Sequence, residues 1–453
     1  MFKKSHILSA LLFGLLISCS SSGFADPLDD KINTSIQNYL ASVQDKGVSA
    51  VQLSVLLPNE TQPRNYVTGT KYYGTSNKTP ATTDMMLQWG SITKEYTNVL
   101  VFKLIQKGKF TLDNTLVQLF PENFSKDQNN AQIWPDAWRD VKLYQLMNMT
   151  SGIPDYGYSP SSPDGDHTSP QPHYSLEDLV DLAAQVQNSG CIADDGCFPA
   201  GSNYFYSNTN YIILGKLVEK YSGHSFSHEM DHLLKPFQKS GDDAYYYVGH
   251  SYPNFILNNM IHGYFSPTEP AEIIDVTNWD MSWGASAGAM LGSMSTLVNM
   301  TKALYTATPN QPNNLVPIDL LKQHMVSMDN GKPVTDPNTE CNDDCYAMGI
   351  VVSSNPGFTP TWFYEGGTQG YSAIYLVSAT KDNQKFFVAG SFNTTPSGKA
   401  SSIDIAEEVV KVDILVNQYL SPGNSPLNST MLNHHTRKTT GLFLLGSSKN
   451  PVI

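Results

Sequence analysis

The sequence contains few arginines and carries an excess of acidic groups. Arg64, Arg139 and Arg437 are its three arginines, and its formal net charge at pH 7 is −13. Proteins that bind nucleic acid or anionic membrane surfaces need a cationic face to neutralise phosphate groups. We therefore expect neither nucleic acid nor an anionic membrane surface among the partners of this protein.

Long hydrophobic segments are also lacking. The apolar stretch at residues 7–17 follows a pair of lysines and is too short to span a bilayer, which is typical of an export signal. Cleavage after Ala25, which ends a small-x-small sequence, would release residues 1–25 and leave a periplasmic or secreted protein. The alternative is a lipobox at residues 16–19, which would leave a lipid anchor on Cys19.

Cysteine is scarce, with five residues in the chain. Apart from Cys19, they form two close pairs, and an even number in an exported chain predicts the disulfides Cys191–Cys197 and Cys341–Cys345. A metal site would need clustered thiols with histidine partners, and the histidines show no ligand spacing. We therefore predict no metal and no other cofactor.

The run Ser91-Ile92-Thr93-Lys94 carries the first chemical signal. Positions i and i+3 share a helix face, so the lysine amine can lie against the serine hydroxyl and accept its proton. The spacing alone is weak, because Ser378-Ala379-Thr380-Lys381 also fits it. Ser378, however, follows a strand-like run and precedes a turn signal, whereas Ser91 opens an apolar helix that ends at Lys107-Gly108.

The pattern along the chain predicts an α+β fold. A mostly helical region from Ser91 to about Leu304 lies between strands near the two ends of the chain. This order implies an antiparallel sheet built from both chain ends and flanked by helices. The helical region would form a lobe inserted into this sheet domain. Residues 26–420 would form this domain, and residues 421–453 a loosely ordered tail. The predicted strands are 48–57, 64–73, 346–352, 361–365, 372–378 and 385–392, with flanking helices at 29–42 and 404–419.

Two further segments supply candidate partners for Ser91. Tyr206 and Asn208 precede an apolar helix; a tyrosine beside a lysine ammonium can have a lowered pKa and act as a general base, and an asparagine can hold both the lysine and a substrate amide. Tyr252-Pro253-Asn254 fits the same pattern. The run from Phe363 to Tyr371 is a strand that ends in glycines, which allow a substrate to approach the backbone closely.

Together these segments resemble the penicillin-recognising serine hydrolases, which include class C β-lactamases, D-alanyl-D-alanine carboxypeptidases and related esterases and D-amino-acid peptidases. The resemblance implies that Ser91 is the nucleophile, that Lys94 and Tyr206 relay its proton, and that Asn208 contacts the lysine and the substrate. It also implies an oxyanion hole from the backbone N–H groups of Ser91 and Gly367. The similar blocks lie at 89–94, 108–113, 146–156, 206–211 and 286–288.

The third motif departs from the family pattern of Lys or His, then Thr or Ser, then Gly. Tyr364-Glu365-Gly366 stands there, and a slip of one residue would put Glu365 in the first position. No Lys or Arg occurs from Pro333 to Thr380. In the family this basic group receives a substrate carboxylate, which Glu365 would repel if it faced the cleft; strand alternation could instead turn it away.

Three hypotheses follow. The first is an exported serine hydrolase that works through an acyl-enzyme like a D-alanyl-D-alanine carboxypeptidase, on a small peptide, β-lactam or ester. The second is an esterase or amidase for substrates that lack a free carboxylate. The third is a cell-envelope binding protein that does not turn over its ligand.

Overall fold

The computed structural model describes residues 26–421 except 75, 126–133, 160, 162–171, 239–242, 266–272, 309–314, 342–343, 354–359 and 395–404. The expected export signal at 1–25 and the expected tail beyond Ser421 lie outside the described residues. No helix in the described part combines the length and apolar character needed to cross a bilayer.

The secondary structure follows the predicted order. The strands are β1 (Ala50–Leu56), β2 (Arg64–Gly69), β3 (Leu87–Gln88), β4 (Ala244–Tyr246), β5 (Tyr264–Phe265), β6 (Ile274–Asp275), β7 (Met290–Gly292), β8 (Val326–Ser327), β9 (Cys345–Tyr346), β10 (Val351–Ser353), β11 (Thr361–Thr368), β12 (Tyr371–Ala379) and β13 (Lys385–Phe392). The helices are α1 (Pro27–Val43), α2 (Thr93–Gln106), α3 (Leu116–Leu119), α4 (Leu143–Met147), α5 (Leu176–Asn188), α6 (Asn208–Ser222), α7 (Phe226–Leu234), α8 (Asn254–Leu257), α9 (Ala285–Gly288), α10 (Met294–Tyr305), α11 (Ile318–Leu321), α12 (Pro337–Glu340) and α13 (Ile405–Leu420).

The main sheet joins the two ends of the chain. Its strand order is β2-β1-β13-β12-β11-β10-β9-β8, and each pair of neighbouring strands in it is antiparallel. Helices α1 and α13 pack together and against the sheet, while α2, α6 and α9 pack together in the inserted helical region. The predicted α+β architecture is therefore confirmed.

One predicted strand is divided. The sequence pattern predicts a single strand over 346–352, but the structure has β9 and β10 with a tight turn between them, closed by the N–H of Ala347 donating to the carbonyl of Ile350. Gly349 has a φ of +74°, and a Cβ there would lie 2.9 Å from Nδ2 of Asn98. Close packing against α2 and the left-handed glycine therefore break the strand.

The sheet presents different helices to its two faces. The hydroxyl of Tyr375 in β12 donates to Oε1 of Glu95 in α2 over 2.8 Å. The preceding residue, Ile374, pairs with Gly390, and a Cβ at Gly390 would lie 2.4 Å from Cγ2 of Val409 in α13. Because successive strand residues point to opposite faces, α2 lies on one side of the sheet and α13 on the other.

Both predicted disulfides, Cys191–Cys197 and Cys341–Cys345, are present. Each closes a short local loop and so adds little to the stability of the whole domain.

The buried side chain of Asn393 joins the end of β13 to the start of β1. Its Oδ1 accepts the N–H groups of Ser49 and Ala50 over 2.9 and 3.1 Å. Its Nδ2 donates to the hydroxyl of Ser49 and the carbonyl of His262 over 2.7 and 2.6 Å. One amide thus satisfies four polar groups where the two chain ends meet.

We predict that Asn393→Ala lowers the free energy of unfolding by about 2–4 kcal/mol, because it leaves buried donors and acceptors without partners. Urea unfolding followed by circular dichroism measures this. Asn254→Ala, at an exposed position, is the control and should change the free energy by less than about 0.5 kcal/mol. Equal effects of the two substitutions would contradict the role of Asn393.

Candidate active site

Ser91 lies in a short turn of 3₁₀ helix, Gly90–Ile92, that leads directly into α2. The turn is fixed from both sides: the N–H of Trp89 donates to the carbonyl of Met290 over 2.8 Å, and the hydroxyl of Thr93 donates to the carbonyl of Gly90 over 2.7 Å. Gly90 has a φ of +54°, in the left-handed region that favours glycine. Ser91 is half-buried, in a hydrogen-bonded turn at the entry to the helix.

The two competing sequence matches do not join Ser91. Ser378 lies in β12 and pairs with Phe386, while Lys381 is exposed in the following turn. The hydroxyl of Tyr252 accepts a hydrogen bond from Nε2 of Gln88 over 3.0 Å, and Asn254 is exposed at the start of α8.

Lys94 is completely buried beside Ser91. Its Nζ lies 2.8 Å from Oγ of Ser91, 2.8 Å from Oδ1 of Asn208 in α6 and 2.9 Å from the carbonyl oxygen of Ala287 in α9. Burial lowers the pKa of Lys94 to about 7, and the negative charge of Asp155 partly opposes this shift. A substantial fraction of Lys94 is therefore a neutral amine at neutral pH.

Tyr206 approaches the same serine oxygen. Its hydroxyl donates to Oγ of Ser91 over 2.8 Å. Burial raises the pKa of Tyr206, the hydrogen bonds to Ser91 and Tyr364 lower it less strongly, and the charges of Asp155 and Glu365 raise it further. Burial therefore raises the pKa of Tyr206, in the opposite direction to the shift expected from the sequence.

Asp155 fixes the start of α6, a role that the sequence pattern did not predict. Its carboxylate is buried, accepts the backbone N–H of Gly157 over 2.8 Å and also accepts the backbone N–H of Asn208. Burial raises the pKa of Asp155, while these hydrogen bonds and Lys94 act in the opposite direction. A carboxylate at the start of α6 fixes Asn208, which in turn holds Lys94. Its only signal in the sequence is its place in the block at 146–156.

The third motif has Tyr364 in the first position. Its hydroxyl lies 3.4 Å from that of Tyr206 and 2.8 Å from that of Tyr346, another buried tyrosine that sequence reasoning missed. The register with one residue slipped, which would put Glu365 against Tyr206, does not occur. A row of three phenolic hydroxyl groups, from Tyr206 through Tyr364 to Tyr346, thus extends from Ser91.

Glu365 points to the other face of the sheet. It pairs with Ile374, which pairs with Gly390 on the face covered by α13, whereas Tyr364 and Gly366 lie on the face toward Ser91. The side chain is nevertheless buried, with 4% exposure. Its side chain is therefore directed away from Ser91, and its charge is the smallest of the contributions that raise the pKa of Tyr206.

Two glycines bring β11 against the turn that carries Ser91. A Cβ at Gly366 would lie 1.9 Å from the carbonyl oxygen of Trp89 and 2.6 Å from the nitrogen of Ser91. A Cβ at Gly90 would lie 2.7 Å from the nitrogen of Gly367. The backbone nitrogens of Ser91 and Gly367, the candidate oxyanion donors, are thereby brought close to one another.

A serine at the start of a buried helix, with lysine and tyrosine on its oxygen and a glycine-rich strand beside it, defines the class of penicillin-recognising proteins. A family model described as Beta-lactamase matches residues 38–409. The chain belongs to the beta-lactamase family.

Relatives and solved structures agree with this assignment. Over 156 residues the chain is 30% identical to penicillin-binding protein 4 of Amycolatopsis lactamdurans, covering 34% of this chain and 35% of that protein. Over 220 residues it is 24% identical to a β-lactamase of Escherichia coli (strain K12), covering 48% and 49%. The matched regions thus span between about a third and a half of these relatives.

The fold is similar to that of D-amino acid amidase from Ochrobactrum anthropi SV3, with a TM-score of 0.63 at 19% identity, covering 87% of this chain and 98% of that chain. It is also similar to a penicillin-binding protein from Bacillus halodurans, with a TM-score of 0.59 at 17% identity, covering 84% and 98%.

We predict that Gly366→Ala lowers the rate of acylation of Ser91 at least about 100-fold, because the methyl group would push β11 away from the serine turn. Gly288→Ala is the control: Gly288 also lies near Gly90, but a Cβ there would lie 3.9 Å from the carbonyl carbon of Gly90, an ordinary van der Waals distance. Stopped-flow measurement with an activated ester checks both. Equal rates for the two variants would contradict the proposed close contact.

Proposed function

We propose that this protein is a serine hydrolase that forms an acyl-enzyme on Ser91 and prefers amides or esters that lack a free carboxylate next to the third motif. The observation that carries the proposal is the position of Tyr364. Its neutral hydroxyl lies 3.4 Å from the hydroxyl of Tyr206, at the position where the family pattern has Lys or His. The signal-like N-terminus supports export of the enzyme.

The contacts of Lys94 suit a general base. A neutral amine has two N–H groups and one lone pair. If the N–H groups donate to Asn208 and to the carbonyl of Ala287, the lone pair faces Oγ of Ser91 over 2.8 Å. Lys94 then takes the serine proton as Oγ attacks the substrate carbonyl carbon.

The hydroxyl of Tyr206 suits the return of that proton. It is protonated at neutral pH and lies on Oγ of Ser91, close to the atom that leaves when the tetrahedral intermediate collapses. Tyr206 donates its proton to the leaving nitrogen or oxygen, and the ammonium of Lys94 replaces it. Water then attacks the acyl carbonyl, and its proton passes through Tyr206 and Lys94 to Oγ of Ser91, the reverse of the acylation path. In both steps the N–H groups of Ser91 and Gly367 stabilise the oxyanion.

Substrate choice depends on the charge around the third motif. A cation about 4 Å from a carboxylate contributes on the order of 4 kcal/mol at an effective dielectric constant of 20. Tyr364 supplies no such charge, β11 has no basic residue, and Glu365 adds a negative charge nearby. A neutral or amine-bearing group beside β11 avoids this unfavourable field. The shared fold with an amidase is compatible with this substrate class.

We predict that kcat/KM for a neutral ester rises about tenfold per pH unit below pH 7 and levels off above it. The active form has neutral Lys94, whose pKa is about 7, and protonated Tyr206, whose pKa is raised. A pH–rate profile measures this. Lys94→Arg, which cannot supply a neutral amine, should abolish turnover, whereas Lys103→Gln on the same helix should leave the profile unchanged. A midpoint well above pH 7 would contradict a neutral Lys94 as the base.

The matched substrate pair N-acetyl-D-alanyl-D-alanine and its C-terminal amide tests the specificity. We predict at least a tenfold higher kcat/KM for the amide, because the free carboxylate meets no cation. The variant Tyr364→Lys should shift the preference toward the acid, and Tyr364→Phe should not. Mass spectrometry of the protein after an activated ester and after benzylpenicillin identifies the acylated residue, with Ser91→Ala as the negative control.

The outcomes separate the hypotheses. Preference for the free acid, with Ser91 acylated and turned over, would contradict the substrate class and favour a D-alanyl-D-alanine carboxypeptidase. Acylation of Ser91 without steady turnover would favour a binding protein. No acylation of a folded protein would overturn the mechanism itself.

A further inference from the structure

Two histidines and an aspartate from three separate segments meet outside the Ser91 site. Nδ1 of His173 lies 2.9 Å from Oδ2 of Asp280, and Nδ1 of His250 lies 3.3 Å from the same oxygen. We propose that His173, His250 and Asp280 form a binding site for a divalent cation, with zinc as the ion that best fits these donors. The spacing along the chain could not reveal this site.

The donor atoms are close to the separations that a shared ion requires. Zinc binds imidazole nitrogen and carboxylate oxygen at about 2.0–2.2 Å, which places tetrahedral ligands about 3.4 Å apart. The three ligand atoms all lie within 4.8 Å of one another, and the two distances to Asp280 are already near that value. Small movements of the two imidazole rings therefore suffice.

The aspartate is held in place before any ion binds. Its side chain is 2% exposed, and its second oxygen, Oδ1, accepts the N–H of Ser282 over 2.7 Å. Such outer hydrogen bonds fix a carboxylate for metal binding and strengthen affinity. One buried carboxylate oxygen is thus directed at two imidazole groups.

The two histidine segments are each attached to the loop that carries Asp280. Next to His173, the N–H of Tyr174 donates to the hydroxyl of Ser282 over 2.8 Å. Near His250, the N–H of Tyr252 donates to Oδ1 of Asn278 over 2.7 Å. The loop from Asn278 to Ser282 therefore positions all three candidate ligands, so little ordering is needed on binding.

The donor set also selects the type of ion. Two imidazole nitrogens and one carboxylate suit zinc and neighbouring transition metals, whereas calcium and magnesium prefer oxygen ligands. The histidine side chains are 42% and 79% exposed, so an ion can enter from solvent and keep water as a fourth ligand. The ordinary alternative is that both imidazoles only donate hydrogen bonds to Asp280.

A bound ion would act on the loop that precedes α9. That loop continues through Trp283, whose carbonyl accepts the hydroxyl of Tyr156, into the helix whose Ala287 carbonyl accepts from Lys94. Zinc would tie the segments of His173 and His250 to this loop and stabilise the folded protein, because the unfolded chain does not assemble the site. The site is separate from the acylation chemistry, so its test does not depend on the substrate.

The test uses the full chain without an affinity tag, treated with chelator and then dialysed against zinc alone. We expect the double variant His173→Gln/His250→Gln to bind one equivalent of zinc fewer than the original protein. The single variant His250→Gln should bind zinc at least tenfold more weakly. Zinc should raise the melting temperature only of proteins that retain the site. The control is His224→Gln/His228→Gln, which removes an exposed cluster within a single chain segment and should keep this zinc. Cobalt substitution should give the absorption spectrum of a four-coordinate nitrogen–oxygen site.

Unchanged stoichiometry and affinity in His173→Gln/His250→Gln, with the folded state verified by circular dichroism, would overturn the proposal. Loss of zinc only in the control variant would assign the binding to the other cluster and overturn it equally. Absence of zinc binding to the original protein at millimolar zinc would show that the cluster is held by hydrogen bonds alone.

Discussion

The burial of the Lys94 amine is the constraint on which the rest of the site depends. An ammonium group removed from water is costly unless it is neutralised or surrounded by acceptors. Here the acceptors come from the turn that carries Ser91, from Asn208 at the start of α6 and from Ala287 in α9. Each of these elements must therefore be positioned to within a fraction of an ångström. The same burial lowers the pKa of Lys94 to about 7, so part of the amine is neutral at neutral pH and has a lone pair that can accept a proton.

Much of the fold could be predicted because strand and helix periodicity is local. Alternation and turn residues predict strands at 385–392 and 64–73, and the structure has them at Lys385–Phe392 and Arg64–Gly69. Motif order predicts Ser91, Lys94, Tyr206 and Asn208 as site residues. What the sequence could not predict depends on three-dimensional burial. The direction of the Tyr206 pKa shift, the face of β11 that carries Glu365 and the role of Asp155 all require knowledge of which groups lose water together. A turn at Gly349 divides a strand for a similar reason, since α2 packs against it.

The third motif shows how a site can keep its geometry while its charge changes. Gly366 preserves the contact with the serine turn, and Tyr364 reaches Tyr206 with an oxygen where related sites have nitrogen. The hydroxyl of Tyr346 is hydrogen-bonded to that oxygen, and the row of hydroxyl groups is buried in the packed interior. In the proposed mechanism, reactivity depends on Lys94 and Tyr206, whereas selectivity depends on the neighbours of Tyr364. The two properties can therefore vary separately.

The pairing of β1 with β13 has a consequence for how this chain acquires its structure. Asn393 bonds to a residue 343 positions away, and β1 has β13 as one of its two neighbours in the sheet. Contacts between such distant segments form slowly, because a long loop must close before they contribute. Until the last strand arrives, one edge of β1 stays exposed, and the chain remains open to aggregation during synthesis. The feature that closes the finished sheet thus makes its assembly a late event.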